Sequence, residues 1–224
     1  MSGLLVPGWG APRGLYRECV PEGWEVLELP TFRETAGELA AYRRWLRAEV
    51  ARRPRPTALA GHSMGAVLSI LTALDDPDAV ASLVLVSPAG LPLERPMWKS
   101  FLSLLDQIAH GLYPVAELRR GATRILSAPR AAYRLARTIS ALDLGPRLEQ
   151  VRVSGIPCTV IGCRTDKLTT PELCRRLAAR LDATYRELEV EGGHVWMLHH
   201  PQLLAAELST GAGPARPRGT RPGA

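Results

Sequence analysis

The chain has 224 residues, 46% hydrophobic and 22% charged. That is enough for one domain with a full core and ordinary for a globular protein, and it excludes a disordered chain. The formal charge is +6, but Arg216, Arg218 and Arg221 sit in the last 14 residues, so the body carries about +3, which reads as a weakly basic solvated surface with no nucleic-acid partner. The N-terminus lacks a basic region before its short apolar run, and no apolar run reaches the roughly 18 residues that span a bilayer. A cytoplasmic protein without a membrane partner is the expectation. Cys19, Cys158, Cys163 and Cys174 have no C-x-x-C spacing, which argues against a zinc site or a redox pair; no metal is expected. The basic residues are 26 Arg and 2 Lys, and Asn is absent; a GC-rich genome and selection against thermolabile residues both fit.

In chain order, Gly3 to Val6 reads as a short strand ending at Pro7-Gly8-Trp9-Gly10, and Trp24 to Leu29 as a second. Arg33 to Arg53 reads as a helix, with Leu39, Tyr42, Leu46 and Val50 at helical spacing and Pro54 and Pro56 ending it. Thr57 to Ala60 is a strand, Met64 to Leu74 a helix, and Ser82 to Val86 an unbroken apolar run that predicts a fully buried strand. Cys158 to Ile161 and Thr184 to Leu188 complete the strands. Pro171 to Leu181 and Pro201 to Leu208 are helices with Pro at an N-terminal position. Strands alternating with helices imply a mostly parallel sheet of about six strands covered on both faces, a three-layer α/β fold.

Residues 91–154 carry helical patterns and no strand pattern. Trp98, Phe101, Leu105 and Ile108 mark one apolar face, and Tyr133, Ala136 and Ile139 another. An insertion at this place falls where the active-site edge of the sheet lies, so it reads as a helical lid over a core of residues 1–90 and 155–210. The Gly- and Pro-rich residues 211–224 predict a disordered tail.

Gly61-His62-Ser63-Met64-Gly65 joins the third strand to the helix after it. This is G-x-S-x-G, in which a serine sits on a strained turn between strand and helix. The flanking glycines suit such a turn, since a β-carbon at either place would meet neighbouring backbone. A carboxylate and a histidine follow in order, Asp166 after the Cys158–Ile161 strand and His194 after the last strand.

VPGWG, GHSMG, GCRTDKLTTP and GGHVWMLHHP together resemble the α/β-hydrolase superfamily over roughly residues 4–208. Lid-bearing esterases and carbon–carbon bond hydrolases are similar, and GHSMGA also resembles type II thioesterases. The resemblance implies Ser63 as nucleophile, His194 as its base and Asp166 as the residue that fixes the imidazole. Backbone N–H groups of Met64 and Trp9 would form the oxyanion hole, although Pro7 stands where many relatives have His. Relatives usually have two strands before the one that ends at Pro7-Gly8, which here begins at residue 3, so a trimmed sheet of about six strands rather than eight is expected.

Other residues compete for these roles. His62 points away from its neighbour in a turn and reads as structural; His199 and His200 read as surface residues, and His110 belongs to the lid. Asp182 lies before the last strand, further from the expected loop, and Ser87-Pro88-Ala89-Gly90 offers no carboxylate at the alternative acid position.

The reading is a cofactor-free serine hydrolase cleaving a small, largely apolar carboxylic ester, with Trp9, Trp98, Phe101 and Leu105 lining the acyl site. Three alternatives stay open. One is an acyl-carrier or acyl-CoA thioesterase, with an acidic carrier protein as partner, since residues 91–150 hold nine Arg or Lys against five acids. The others are a carbon–carbon bond hydrolase and a non-catalytic ligand-binding protein. A monomer and a homodimer both fit.

Overall fold

The computed structural model describes residues 2–93, 99 and 114–211. Six strands among these residues form one sheet: β1 (Gly3–Val6), β2 (Trp24–Val26), β3 (Thr57–His62), β4 (Val80–Val86), β5 (Cys158–Cys163) and β6 (Thr184–Leu188). Their order is β2-β1-β3-β4-β5-β6, and every pair is parallel. β3 and β4 therefore lie at the centre, and their apolar runs are buried on both faces, as parallel sheets require.

The two-residue period of a strand splits these runs between two cores. Leu4, Val6, Leu59, Leu83 and Leu85 face one side; Leu5, Ala60, Val84, Val86 and Ile161 face the other. On the first side pack α2 (Leu39–Ala51), α3 (Met64–Asp75), α5 (Pro129–Ala141), α6 (Gly145–Val153) and α7 (Pro171–Leu181). On the second lie the 3-10 turn Arg13–Cys19, α8 (Trp196–His199) and α9 (Pro201–Gly211).

The strand and helix expectations hold with small shifts in their ends, except at three places. The helix expected over Arg33–Arg53 is two: α1 (Phe32–Thr35) and α2. Ala36 (φ 51°) and Gly37 (φ 70°) turn left-handed between them. A β-carbon on Gly37 would stand 2.0 Å from the Ala131 carbonyl oxygen, so the break is where α5 comes closest. β2 stops at Val26, although Leu27 N–H still donates to Leu5 O at 2.9 Å. Beyond it the Leu29 and Pro30 carbonyls accept from the Arg124 guanidinium instead of from a strand. In α5 the buried face is Ala132, Leu135 and Ile139, and Tyr133 is exposed, so the face expected through Tyr133 is rotated by about one position.

Between β4 and β5 the described residues include the helices α4 (Val115–Leu126), α5 and α6 and no strand. α4 crosses the loop after β1. A β-carbon on Gly121 would be 3.4 Å from the Gly10 carbonyl oxygen, and one on Gly10 would be 3.3 Å from Ile125 Cδ1.

Candidate active site

Ser63 has φ 54° and ψ −112°, a conformation that costs a non-glycine residue energy. The turn is held by main-chain bonds. Ser63 N–H donates to Val86 O at 3.0 Å, and Ser63 O accepts from the N–H groups of Ala66 (3.1 Å) and Ala89 (3.3 Å). The glycines are required sterically. A β-carbon on Gly61 would lie 2.4 Å from the Gly65 carbonyl, and one on Gly65 would lie 2.1 Å from Val6 O. Strand β1 and helix α3 meet through that second contact.

Asp166 and His194 reach each other from the ends of two neighbouring strands. Asp166 follows β5, and His194 sits in the 3-10 turn Gly193–Val195 after β6. Gly192 enters that turn at φ 106°. His194 Nδ1 and Asp166 Oδ2 are 2.9 Å apart, and both residues are buried. The carboxylate is fully satisfied: Oδ1 accepts from the N–H groups of Leu168 (2.8 Å) and Thr169 (3.0 Å), and Oδ2 also accepts from Thr169 Oγ1 at 2.8 Å. Burial alone would raise its pKa, but His194 and these hydrogen bonds outweigh it and hold the carboxyl below the usual range. An ionised acceptor on Nδ1 fixes the proton there and makes Nε2 the basic nitrogen.

Thr169 was not anticipated. Its Oγ1 lies 2.8 Å from Asp166 Oδ2, 3.0 Å from Ser87 O and 3.2 Å from His194 Nδ1. It ties the acid and the imidazole to the end of β4, the place where the sequence offers no second carboxylate.

His62 occupies the structural place expected of it, yet it is not remote from His194. Its Nε2–H donates to the His194 carbonyl oxygen at 3.0 Å, and the two rings are 4.8 Å apart. Its Nδ1 accepts from the Tyr16 hydroxyl at 2.8 Å, and that hydroxyl accepts from Gly8 N–H at 3.3 Å. Complete burial, then the neighbouring His194, depress its pKa to about 3, so it is neutral. This single tautomer satisfies every bond in the run.

Ser63, Met64, Trp9 and His194 line one cavity of about 390 Å³. Its walls are mostly apolar, with Leu118 and Ile125 from α4, Ile139 from α5 and Leu198 from α8. Met64 opens α3, so its N–H belongs to the unpaired first turn of that helix. Trp9 lines the cavity and also packs as a structural residue: its Nε1–H donates to Ala132 O at 3.1 Å, and its ring lies 5.4 Å from that of Phe32. Trp98, Phe101, Leu105 and His110 lie outside the described residues. The apolar wall from Leu118, Ile125 and Leu198 was not anticipated; the spacing of Leu118, Gly121, Ala122 and Ile125 on one helical face was its available signal. Asp182 is exposed at the end of α7, and His199 is exposed, whereas His200 is half-buried. Burial raises the thiol pKa of Cys19 and Cys158 to about 12, and that of Cys174 upward as well, so these thiols are not nucleophiles at neutral pH. Among the described residues no group of three or more His, Cys, Asp or Glu could hold a metal ion, and no helix is long and apolar enough to cross a membrane.

Residues 4–207 match the model of a family described as the alpha/beta hydrolase family. The chain belongs to that family. This α/β hydrolase is similar to a lipase-esterase related protein from Clostridium acetobutylicum (TM-score 0.73, 17% identity, 93% of each chain covered). It is also similar to an esterase from Exiguobacterium antarcticum (TM-score 0.74, 13% identity, 94% of this chain and 92% of the other). A thioesterase domain from the curacin biosynthetic pathway matches at TM-score 0.62 and 20% identity, over 93% of this chain and 90% of that one. At such identities the likeness establishes the fold. No curated protein sequence matches the chain.

Proposed function

We propose that this α/β hydrolase is a serine hydrolase that cleaves a small, largely apolar carboxylic ester through an acyl-enzyme on Ser63. One observation carries the reading: His194, 2.9 Å from the buried Asp166 carboxylate, lines the same apolar cavity as a serine held at φ 54°.

Each residue then has a chemical task. His194 Nε2 takes the Ser63 proton as Oγ bonds to the substrate carbonyl carbon. The N–H groups of Met64 and Trp9 receive the oxyanion. Asp166 stabilises the imidazolium, and Thr169 holds both in register. The imidazolium returns its proton to the leaving alcohol as the carbon–oxygen bond breaks. Water then attacks the acyl-enzyme, giving its proton to His194 and displacing Ser63 with the acid as product. Helices α4 and α5 roof the cavity as a lid.

Hydrolysis of p-nitrophenyl esters from acetate to decanoate, wild type beside Ser63→Ala, tests this. Turnover that Ser63→Ala abolishes supports it, and the best chain length measures the cavity. Undiminished turnover by Ser63→Ala would overturn it.

A further inference from the structure

We infer that the substrate carries a phosphate, bound in a basic groove beside the apolar cavity; this rests on the hydrolase reading above. The groove encloses about 720 Å³ and is lined by Arg13 and Arg17 from the turn after β1 and by Arg119, Arg120 and Arg124 from α4. Pro12 and Glu117 line both this groove and the cavity that holds Ser63 and His194, so one molecule can occupy the two together.

The charges in the groove do not cancel. Only Glu28 and Glu117 oppose the five arginines. Glu28 pairs with Arg13 at 3.5 Å and with Arg124, and Glu117 pairs with Arg120. Arg17 and Arg119 are exposed and have no carboxylate partner among the described residues. Two guanidinium forks with free donors match a phosphate in shape and charge, whereas a neutral alcohol would leave both unanswered.

A second observation points to a ligand at the junction. Glu117 is nine-tenths buried, and its Oε2 has no hydrogen-bond partner. A β-carbon on Gly14 would stand 2.4 Å from that oxygen, so glycine there leaves the carboxylate its space. A buried carboxylate oxygen without a donor is costly. A hydroxyl or amide N–H on the substrate, between its acyl group and its phosphate, would answer it. The ligand class is thus an acyl chain in the apolar cavity, its ester or thioester carbonyl at Ser63, a donor at Glu117 and a phosphate at Arg17 and Arg119.

Two pairs of substrates test this and separate the sources of such a phosphate. Hexanoyl-CoA is compared with hexanoyl-N-acetylcysteamine, and 1-hexanoylglycerol 3-phosphate with 1-hexanoylglycerol. The phosphate-bearing member of one pair is expected to have the higher kcat/KM by about tenfold, through KM, and the pair that shows it identifies thioester or oxygen ester. In the double variant Arg17→Glu, Arg119→Glu that ratio should fall to near one. Added salt should shrink it too, because the two guanidiniums are exposed.

Binding is read without turnover by titrating Ser63→Ala with CoA and with 1-hexanoylglycerol 3-phosphate; saturable binding of one, lost on charge reversal, is expected. Turnover of p-nitrophenyl hexanoate with equal kcat/KM within both pairs would overturn the groove and leave the hydrolase standing. Binding that charge reversal abolishes, with no ester hydrolysed, would overturn the hydrolase reading and leave the groove. Binding unchanged by charge reversal would overturn the groove.

Discussion

The Tyr16 hydroxyl stands 2.8 Å from His62 Nδ1, and through that contact the loop carrying Trp9 is tied to the turn carrying His194. The hydroxyl accepts from Gly8 N–H on one side, and His62 Nε2–H donates to the His194 carbonyl on the other. The loop is held from this side by Tyr16 and His62 and from the other by the Trp9 Nε1–H bond to Ala132 O.

Tyr16→Phe removes the hydroxyl and leaves a buried Nδ1 and a buried N–H without partners. A loss of about 1–3 kcal/mol in unfolding free energy is expected, with a fall in kcat larger than any rise in KM. Urea unfolding beside p-nitrophenyl ester kinetics checks both; unchanged kcat would show that the loop keeps its place without the tie.

Thr169→Val keeps the volume of the side chain but removes the oxygen near Asp166, Ser87 and His194. Losing one such hydrogen bond, about 1.4 kcal/mol, corresponds to roughly a tenfold fall in kcat, and Thr169→Ser should restore most of it. The pH profile of kcat in the two variants separates a displaced imidazole from mere loss of packing, which would leave the profile unmoved.

Acid should unfold the protein through His62. Its pKa is depressed in the fold from 6.5 to about 3, by burial first and then by His194. Its contribution to stability is fully present above pH 6.5. As pH falls below that value, the unfolded chain takes up a proton that the folded chain refuses, so stability declines by up to about 1.4 kcal/mol per pH unit until the folded form also protonates near pH 3. Unfolding free energies measured between pH 4 and 8 should show this slope in wild type and a shallower one in His62→Gln.

Gly65→Ala should be among the most damaging small changes in the molecule. The added carbon would fall 2.1 Å from the Val6 carbonyl oxygen, which must push α3 off β1. A cost on the order of 3 kcal/mol or more is expected, read as a drop in melting temperature and loss of ester turnover.

Much of this arrangement was legible in the sequence because it is written in local pattern. Ser82 to Val86 is an apolar run in a fully buried strand, and Gly61 and Gly65 mark a turn that admits no β-carbon. The choice of Asp166 and His194 came from the resemblance, which puts a carboxylate and then a histidine after the serine in chain order; the fold brings them together because β5 and β6 are adjacent parallel strands and the loops leaving them share one edge. What escaped notice depends on contacts between distant segments. The break at Ala36–Gly37 is set by the approach of α5, nearly a hundred residues on. Thr169 and Tyr16 are unremarkable in composition and acquire their meaning only from Ser87, Asp166 and His62. The rotated face of α5 shows a further limit: Tyr133 and Leu135 fit the helical period about equally, and packing chose Leu135.

The central claim is that Ser63 is the nucleophile activated by His194. It is met most directly by treating the folded protein with a fluorophosphonate and locating the adduct by mass spectrometry of peptides. The account predicts one adduct, on Ser63, that is absent in Ser63→Ala and forms far more slowly in His194→Ala. A protein that hydrolyses esters yet is never labelled at Ser63, or is labelled equally fast without His194, would contradict it.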